Sequence, residues 1–179
     1  MEQKLSFKKV FITALTLMLV AGLSGVLIVC LNMFTEPRIK ENETRLEQQK
    51  LQEVFREAEF ETLEYQEGKI IKVFKAKVDG NTVGYVYKVS GKNQFGTISL
   101  LVGINLDGTT KNVVFVENTE SFASTVDEHL KDNYQKEGLN TQEIEAIDVK
   151  CSATYGATLI KNLVQEAIRH FNENIKEVE

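Results

Sequence analysis

The 179-residue sequence is poor in the side chains that form disulfides and metal sites. It has two cysteines, and Cys30 lies in a long apolar run far from Cys151, so we expect no disulfide between them. Its two histidines, His129 and His170, show no metal-ligand spacing with each other or with Cys151, and we expect them to lie at the surface. The sequence therefore predicts neither a disulfide-stabilised domain nor a metal centre.

Clusters of positive charge are also missing. The formal net charge is −5, and no Lys/Arg-rich run with interleaved aromatic residues occurs, which argues against nucleic acid as a partner. There is no GxxxxGK[ST] loop for a nucleoside triphosphate. No Ser-His-Asp set or paired carboxylates indicate a hydrolase.

A long apolar run is present instead, from Val10 to Phe34, with no charged residue. An α-helix needs about 20 apolar residues to cross the hydrocarbon core of a membrane, so we predict a retained transmembrane helix. A cleaved signal peptide is the alternative, but the run is too long and no cleavage site follows. Lys4, Lys8 and Lys9 precede the helix and favour a cytoplasmic N-terminus with the remaining chain outside.

The chain then divides by pattern into segments. We predict a cytoplasmic N-terminus over residues 1–9, the transmembrane helix over 10–34, a juxtamembrane helix or linker over 35–62, and a soluble domain over 63–179. The juxtamembrane helix is indicated by apolar residues at helical spacing, namely Ile39, Leu46, Leu51, Val54, Phe55 and Ala58.

The soluble domain begins with alternating apolar residues separated by turn signals, which predict an antiparallel meander of at least four strands. The four predicted strands are Lys69–Val78, Thr82–Val89, Gly96–Ile104 and Lys111–Asn118. A helix over Ser124–Tyr134, capped by Ser124 or Thr125, and a short strand over Glu145–Cys151 follow. The strongest helical stripe runs from Leu159 to Phe171. The predicted class is α+β, an antiparallel sheet with packed helices after one transmembrane helix.

Two similar tripeptides stand where this last helix begins, within the segment "DVKCSATYGATLIK". They are Ser152-Ala153-Thr154 and Gly156-Ala157-Thr158. Ser152, Thr154 and Thr158 are suitable helix N-caps, which is the commoner use of such residues. A helix N-terminus also receives phosphate, so a threonine here can instead be the attachment point of a phosphorylated ligand. The pattern alone leaves both interpretations open.

The segment Asp148-x-x-Cys151-Ser152-Ala153-Thr154 resembles the D-x-x-[ST]-G-A-T flavinylation signature of FMN-binding domains. These domains belong to the G subunit of Rnf electron-transport complexes and to the C subunit of sodium-translocating NADH:quinone oxidoreductase. Gly84–Ser90, Gly96–Gly108 and Glu117–Ser121 extend the resemblance, as do the N-terminal apolar run and the long final helix.

The resemblance implies that a flavin transferase attaches FMN to a threonine through a phosphoester bond. Asp148 stands six residues before Thr154, as the signature requires, so Thr154 is the first choice and Thr158 the second. The residues expected near the flavin are Asp148, Cys151, Ser152, Ala153, Tyr155, Glu117, Thr119 and Glu120. Tyr155 is expected to stack on the isoalloxazine ring or to pack in the core. On composition alone, Glu117 and Glu120 are solvated charges.

Two functions remain open. The first is a membrane-anchored electron carrier that works with the other subunits of an Rnf-like, ion-translocating complex; whether the chain alone is an enzyme stays undecided. The second is a membrane-tethered binding or assembly module without covalent flavin. It is suggested by Cys151 and Ser152, which replace the Ser/Thr and Gly of the signature, and by "SFAS" (Ser121–Ser124), which replaces the usual Pro-Gly.

Overall fold

The computed structural model describes residues 7–63 and 65–176. The chain divides into two compact units, residues 1–46 and 47–179. Helix α1, Phe7–Val54, begins in the first unit and ends in the second.

In the first unit, the described residues form one helix that is long and apolar enough to span a membrane. Its apolar side chains are exposed from Phe7 to Phe34. The hydroxyls of Thr13, Thr16 and Ser24 each donate to the carbonyl four residues earlier at 2.9 Å. Because hydrocarbon offers no hydrogen-bond partner, hydroxyls satisfied within the helix suit a membrane interior.

The second unit contains a five-stranded antiparallel sheet in which neighbours in sequence are neighbours in space. The strands are β1 (Glu59–Leu63), β2 (Ile70–Val78), β3 (Asn81–Lys92), β4 (Thr97–Asn105) and β5 (Thr110–Asn118). The structure confirms the α+β class and contains all four predicted strands. The additional strand β1 is short and mostly exposed, so it carries little of the alternation that reveals a strand in sequence.

Three helices pack on one face of this sheet: α2 (Ala123–Tyr134), α3 (Thr141–Ala146) and α4 (Thr154–Asn174). The apolar stripe of α4 supplies much of the main core, as its helical spacing predicts. The buried residues of this core include Leu159, Ile160, Leu163, Val164, Ala167, Ile168 and Phe171 on α4, and Tyr87, Val89, Leu100 and Val102 on the sheet.

The last turns of α1 pack on the opposite face, where Leu51, Val54 and Phe55 are buried. Two glycines in neighbouring strands make room for them. A Cβ on Gly103 would lie 2.3 Å from Val54 Cγ1, and one on Gly84 would lie 2.5 Å from Phe55 Cζ. The helix therefore rests directly on the backbone of β3 and β4.

The predicted strand over Glu145–Cys151 is wrong, since residues 141–146 form α3 and residues 147–153 form no regular element. Asn140 and Glu143 explain the helix. The Asn140 side chain accepts hydrogen bonds from backbone N–H groups of the first turn, while Glu143 accepts one from the backbone of Asn140 at 2.9 Å. This capping box starts a helix where the apolar alternation suggested a strand.

The predicted helix caps are also wrong. Helix α2 begins after Phe122 and α4 after Ala153, and neither has a side-chain cap hydrogen bond. Thr154 is the first residue inside α4, so its hydroxyl is not placed to accept from the first free N–H groups. Thr158 is the fifth residue of α4 and lies in its second turn, so it is not the N-cap either.

Candidate functional site

A cavity of about 220 Å³ lies at the N-terminal end of α4. Three segments distant in sequence form its wall: the β3–β4 connection, the segment between β5 and α2, and the first turn of α4. The lining residues are Phe95, Glu120, Phe122, Ser152, Ala153, Thr154, Tyr155 and Gly156. The structure thus brings together Glu120 and four other predicted site residues, Ser152, Ala153, Thr154 and Tyr155.

The β3–β4 connection is held against the segment after β5 by close backbone contact. Asn93 Oδ1 accepts from the backbone N–H groups of Phe95 at 2.7 Å and Gly96 at 3.2 Å. A Cβ on Gly96 would lie 2.5 Å from the carbonyl oxygen of Thr119, so only glycine allows this approach. The Thr119 hydroxyl accepts from Thr97 N at 2.9 Å, which gives Thr119 a structural role outside the cavity lining.

Thr154 is exposed at the rim of the cavity. Its hydroxyl donates to the carbonyl oxygen of Cys151 at 2.7 Å, which leaves the oxygen lone pairs available. The first hydrogen bond of the helix runs from Ala157 N to Ala153 O at 3.0 Å. The N–H groups of residues 154–156 consequently have no partner within the helix, as at any helix N-terminus.

Glu120 is only 6% exposed, so its interpretation as a solvated charge is wrong. Its carboxylate accepts a hydrogen bond from Asn93 Nδ2, and its backbone N–H donates to Asn118 Oδ1 at 3.1 Å. The Oε1 atom lies 3.2 Å from the position that a Cβ on Gly156 would take. A buried negative group therefore lies beside the first turn of α4. Glu117, in contrast, is exposed and does not line the cavity.

Three aromatic side chains surround the cavity and remain in contact with solvent. The ring centroid of Phe95 lies 6.3 Å from that of Phe122 and 5.4 Å from that of Tyr155. Phe95, Phe122 and Tyr155 are 36%, 50% and 60% exposed, so core packing of Tyr155 is wrong. Phe95 and Phe122 are not among the predicted site residues; the position of Phe122 inside "SFAS", where the signature pattern is broken, was the available signal.

The other predicted site residues do not line the cavity. Asp148 is exposed, and its Oδ1 accepts from Lys150 N at 2.9 Å in a local turn. Cys151 is half-buried against the main core, and Thr158 is half-buried in α4. Of the predicted site residues in this part of the chain, Ser152, Ala153, Thr154 and Tyr155 line the cavity, whereas Asp148 and Cys151 precede them and Thr158 follows them.

Lys161, which is not among the predicted site residues, contacts the segment that precedes the cavity residues. From α4, its Nζ donates to the carbonyl oxygens of Glu145 at 2.7 Å and Ile147 at 2.9 Å. It therefore ties the segment that carries Asp148 to the helix that carries Thr154.

The two histidines are buried, each 8% exposed, so the expectation of surface histidines is wrong. Burial lowers the pKa of His129, against the opposing charges of Asp132 and Asp148, and burial likewise lowers the pKa of His170. Tyr87 Oη lies 3.1 Å from Nδ1 of His170. Within the described residues, no group of three or more His, Cys, Asp or Glu side chains is arranged to hold a metal ion.

No protein-family model and no curated protein matches the sequence.

Proposed function

We propose that this chain is a membrane-anchored flavoprotein that carries FMN on Thr154 through a phosphoester bond and relays electrons within an Rnf-like membrane complex. The observation that carries the proposal is the exposed Thr154 hydroxyl at the rim of a cavity bordered by aromatic side chains. A binding cavity with the Thr154 hydroxyl at its edge suits a ligand that is attached at one end and rests on apolar surface at the other.

The aromatic side chains fit a flat conjugated ring. Phe95, Phe122 and Tyr155 present ring surface to solvent beside the motif, and aromatic groups favour offset or edge contacts with other rings. The cavity volume of about 220 Å³ lies below the range of roughly 300–1,000 Å³ typical of sites that bury a ligand almost completely. A flavin held here would keep part of its ring exposed, which suits exchange of electrons with another protein.

The phosphate end fits the start of α4. A phosphodiester on Thr154 would retain one negative charge, and free N–H groups with the positive end of the helix dipole favour an anion there. FMN would supply the redox chemistry, while the chain would hold the flavin and set its surroundings. The Glu120 carboxylate repels a second negative charge beside it. It therefore partly offsets the attraction of the helix end for a phosphate.

The membrane helix supports the cellular setting of this proposal. We infer that α1 anchors the chain with its N-terminus in the cytoplasm, because Lys4, Lys8 and Lys9 precede the apolar run. The second unit would then face out of the cytoplasm. Its partners would be the other membrane subunits of the complex and a flavin transferase.

The alternative is a membrane-tethered binding or assembly module of the same fold without covalent flavin. Two observations favour it: Ser152 lines the cavity where the flavinylation signature has glycine, and Glu120 places a negative charge beside the helix end that would receive phosphate. Protein that stays colourless after production with the transferase, and with FMN supplied, would support this alternative.

The deciding experiment compares Thr154→Val with Thr158→Val in a host that contains a flavin transferase. Thr154→Val removes the nucleophilic oxygen and should abolish the flavin adduct in denatured protein. It also removes the hydrogen bond to Cys151 O, at a cost of about 0.5–1.5 kcal/mol in the free energy of unfolding. Thr158→Val is the matched control, because the same substitution one turn later should retain the adduct.

Fluorescence of the denatured chain and mass spectrometry of its peptides measure the result. An adduct on Thr158, or one that survives in Thr154→Val, would reverse the assignment. An unmodified wild-type chain in the presence of active transferase would exclude covalent attachment.

A further inference from the structure

We propose that Glu120 determines the charge selectivity of the cavity: it disfavours free flavin phosphates while it admits an uncharged flavin, so that FMN is held there only through its bond to Thr154. This inference rests on the proposed function, because it assumes that the cavity receives a flavin.

Glu120 lies in the wall of the cavity. Its side chain lines the cavity with Thr154 and is almost fully buried. Its Oε1 atom lies close to the backbone of Gly156, in the first turn of α4. The carboxylate thus lies beside the first turn of α4, the turn whose free N–H groups a phosphate on Thr154 would approach.

Charge balance around Glu120 differs from that of a carboxylate in an ion pair. The donor to the carboxylate is the neutral side chain of Asn93, and in the described part of the chain no ion pair includes Glu120. The nearby helix end is the positive group that offsets it. Because Glu120 is shielded from solvent, salt screens its repulsion of another anion less than it would at the surface.

The flavins that could enter the cavity differ in charge. A free phosphate monoester carries about −1.5 to −2 charges at neutral pH, whereas riboflavin shares the flavin ring and the ribityl chain but has no phosphate. A phosphodiester on Thr154 carries one charge, and its covalent bond removes the need for favourable binding of the phosphate. The chain before modification would therefore leave the cellular pool of FMN unbound, and the transferase would control loading.

The test uses full-length protein purified in detergent from a host that lacks the transferase. Riboflavin and FMN are titrated separately, and the change in flavin fluorescence gives each Kd. We expect the wild-type chain to bind riboflavin at least tenfold more tightly than FMN. Glu120→Gln preserves the shape and the Asn93 contact while it removes the charge, and it should lower this preference at least tenfold, mainly through tighter binding of FMN.

Glu128→Gln is the matched control, because it removes an equal charge from an exposed position on α2 and should leave the preference unchanged. Equal affinities of the wild-type chain for the two flavins would overturn the proposal without reference to any variant. An unchanged preference in Glu120→Gln, or no measurable binding of FMN to it, would overturn it too. If these titrations overturn the proposal but the chain produced with the transferase carries flavin on Thr154, the proposed function stands. If Glu120→Gln shifts the preference but no adduct forms in the presence of the transferase, only the covalent attachment is excluded.

Discussion

At the scale of single residues, the attachment segment depends on a lysine beyond the motif. Residues 147–153 form no helix or strand, so few backbone hydrogen bonds hold them. Lys161 supplies two contacts where this segment begins, at the carbonyls of Glu145 and Ile147. Hydrogen bonds from a charged donor contribute about 1.5–3 kcal/mol each, so the loss of this side chain should loosen the segment.

We therefore predict that Lys161→Met leaves the fold intact but speeds amide hydrogen exchange in residues 147–153 by about tenfold or more. The rate of flavin attachment should fall with it, since Asp148 and Thr154 would no longer keep a fixed spacing. Exchange is measured by mass spectrometry on the flavin-free chain. Lys161→Arg should restore most of the protection, and Lys131→Met, at an exposed site on α2, should change neither quantity. Unchanged exchange in Lys161→Met would contradict this role.

At the scale of secondary-structure elements, the fit of α1 against the sheet depends on the absence of two side chains. Gly103 faces Val54 and Phe55, and Gly84 faces Phe55 and the carbonyl of Ile104. Any Cβ at either position meets packed atoms at distances that real structures do not show. Overpacking of a core in this way costs about 1–3 kcal/mol.

Gly103→Ala should accordingly lower the free energy of unfolding by about 1–3 kcal/mol. The physical cause is contact with Val54 Cγ1, so Val54→Ala in the same chain should relieve part of the loss. The four chains of this double-mutant cycle are compared by urea unfolding in detergent. If the double variant loses as much as the two single variants together, direct contact between these residues is not the cause.

At the scale of the whole molecule, buried histidines should make stability depend on pH. The unfolded chain has histidines with a pKa near 6.5, whereas burial lowers the pKa of His129 and His170 in the folded chain. Between the folded and unfolded pKa values the unfolded state binds more protons, so acidification favours unfolding. Nearby carboxylates act to raise the histidine pKa and so oppose the effect of burial. They are Asp132 and Asp148 at His129, and Glu67, Glu173 and Glu166 at His170. The charge of Arg169 acts with burial to lower the pKa of His170.

We predict that the melting temperature falls between about pH 7.5 and about pH 5.5. The corresponding pH window of Glu47 is lower. Partial burial acts to raise the pKa of Glu47, but Lys88 and Lys72 outweigh burial and hold this pKa below 4.5. The contribution of Glu47 to stability is therefore lost only at more acidic pH. His129→Asn and His170→Asn should each flatten the decline, whatever their effect at neutral pH. A melting temperature with the same slope in both variants and the wild-type chain would refute this cause.

The orientation of the chain in a membrane is a second prediction at this scale. The lysines before the apolar run favour a cytoplasmic N-terminus, so a reporter fused after Glu179 should be active only outside the cytoplasm. Paired reporters that work in opposite compartments measure this. Removal of the charges with Lys4→Gln, Lys8→Gln and Lys9→Gln should increase the fraction inserted in the reverse direction. Activity of the wild-type fusion only in the cytoplasm would refute both the orientation and an extracytoplasmic electron carrier.

The sequence by itself determined most of the regular elements. Alternation between Asp-Gly turns predicted β2 to β5, the helical stripe predicted α4, and the uncharged run predicted the apolar part of α1. Such patterns are local, because each is read from residues within a few turns or one strand of each other. The strand expected over Glu145–Cys151 failed for a local reason as well: the capping box before it was stronger than a short alternation.

Only the tertiary structure decided what surrounds Thr154. Glu120 is buried because Asn93, 27 residues earlier, donates to it and because Gly156 leaves space beside it. Phe95 and Tyr155 meet because the β3–β4 connection and the start of α4 lie at the same end of the sheet. Burial and charge at a site depend on the segments that pack around it, and these segments are distant in sequence, so no local pattern contains that information.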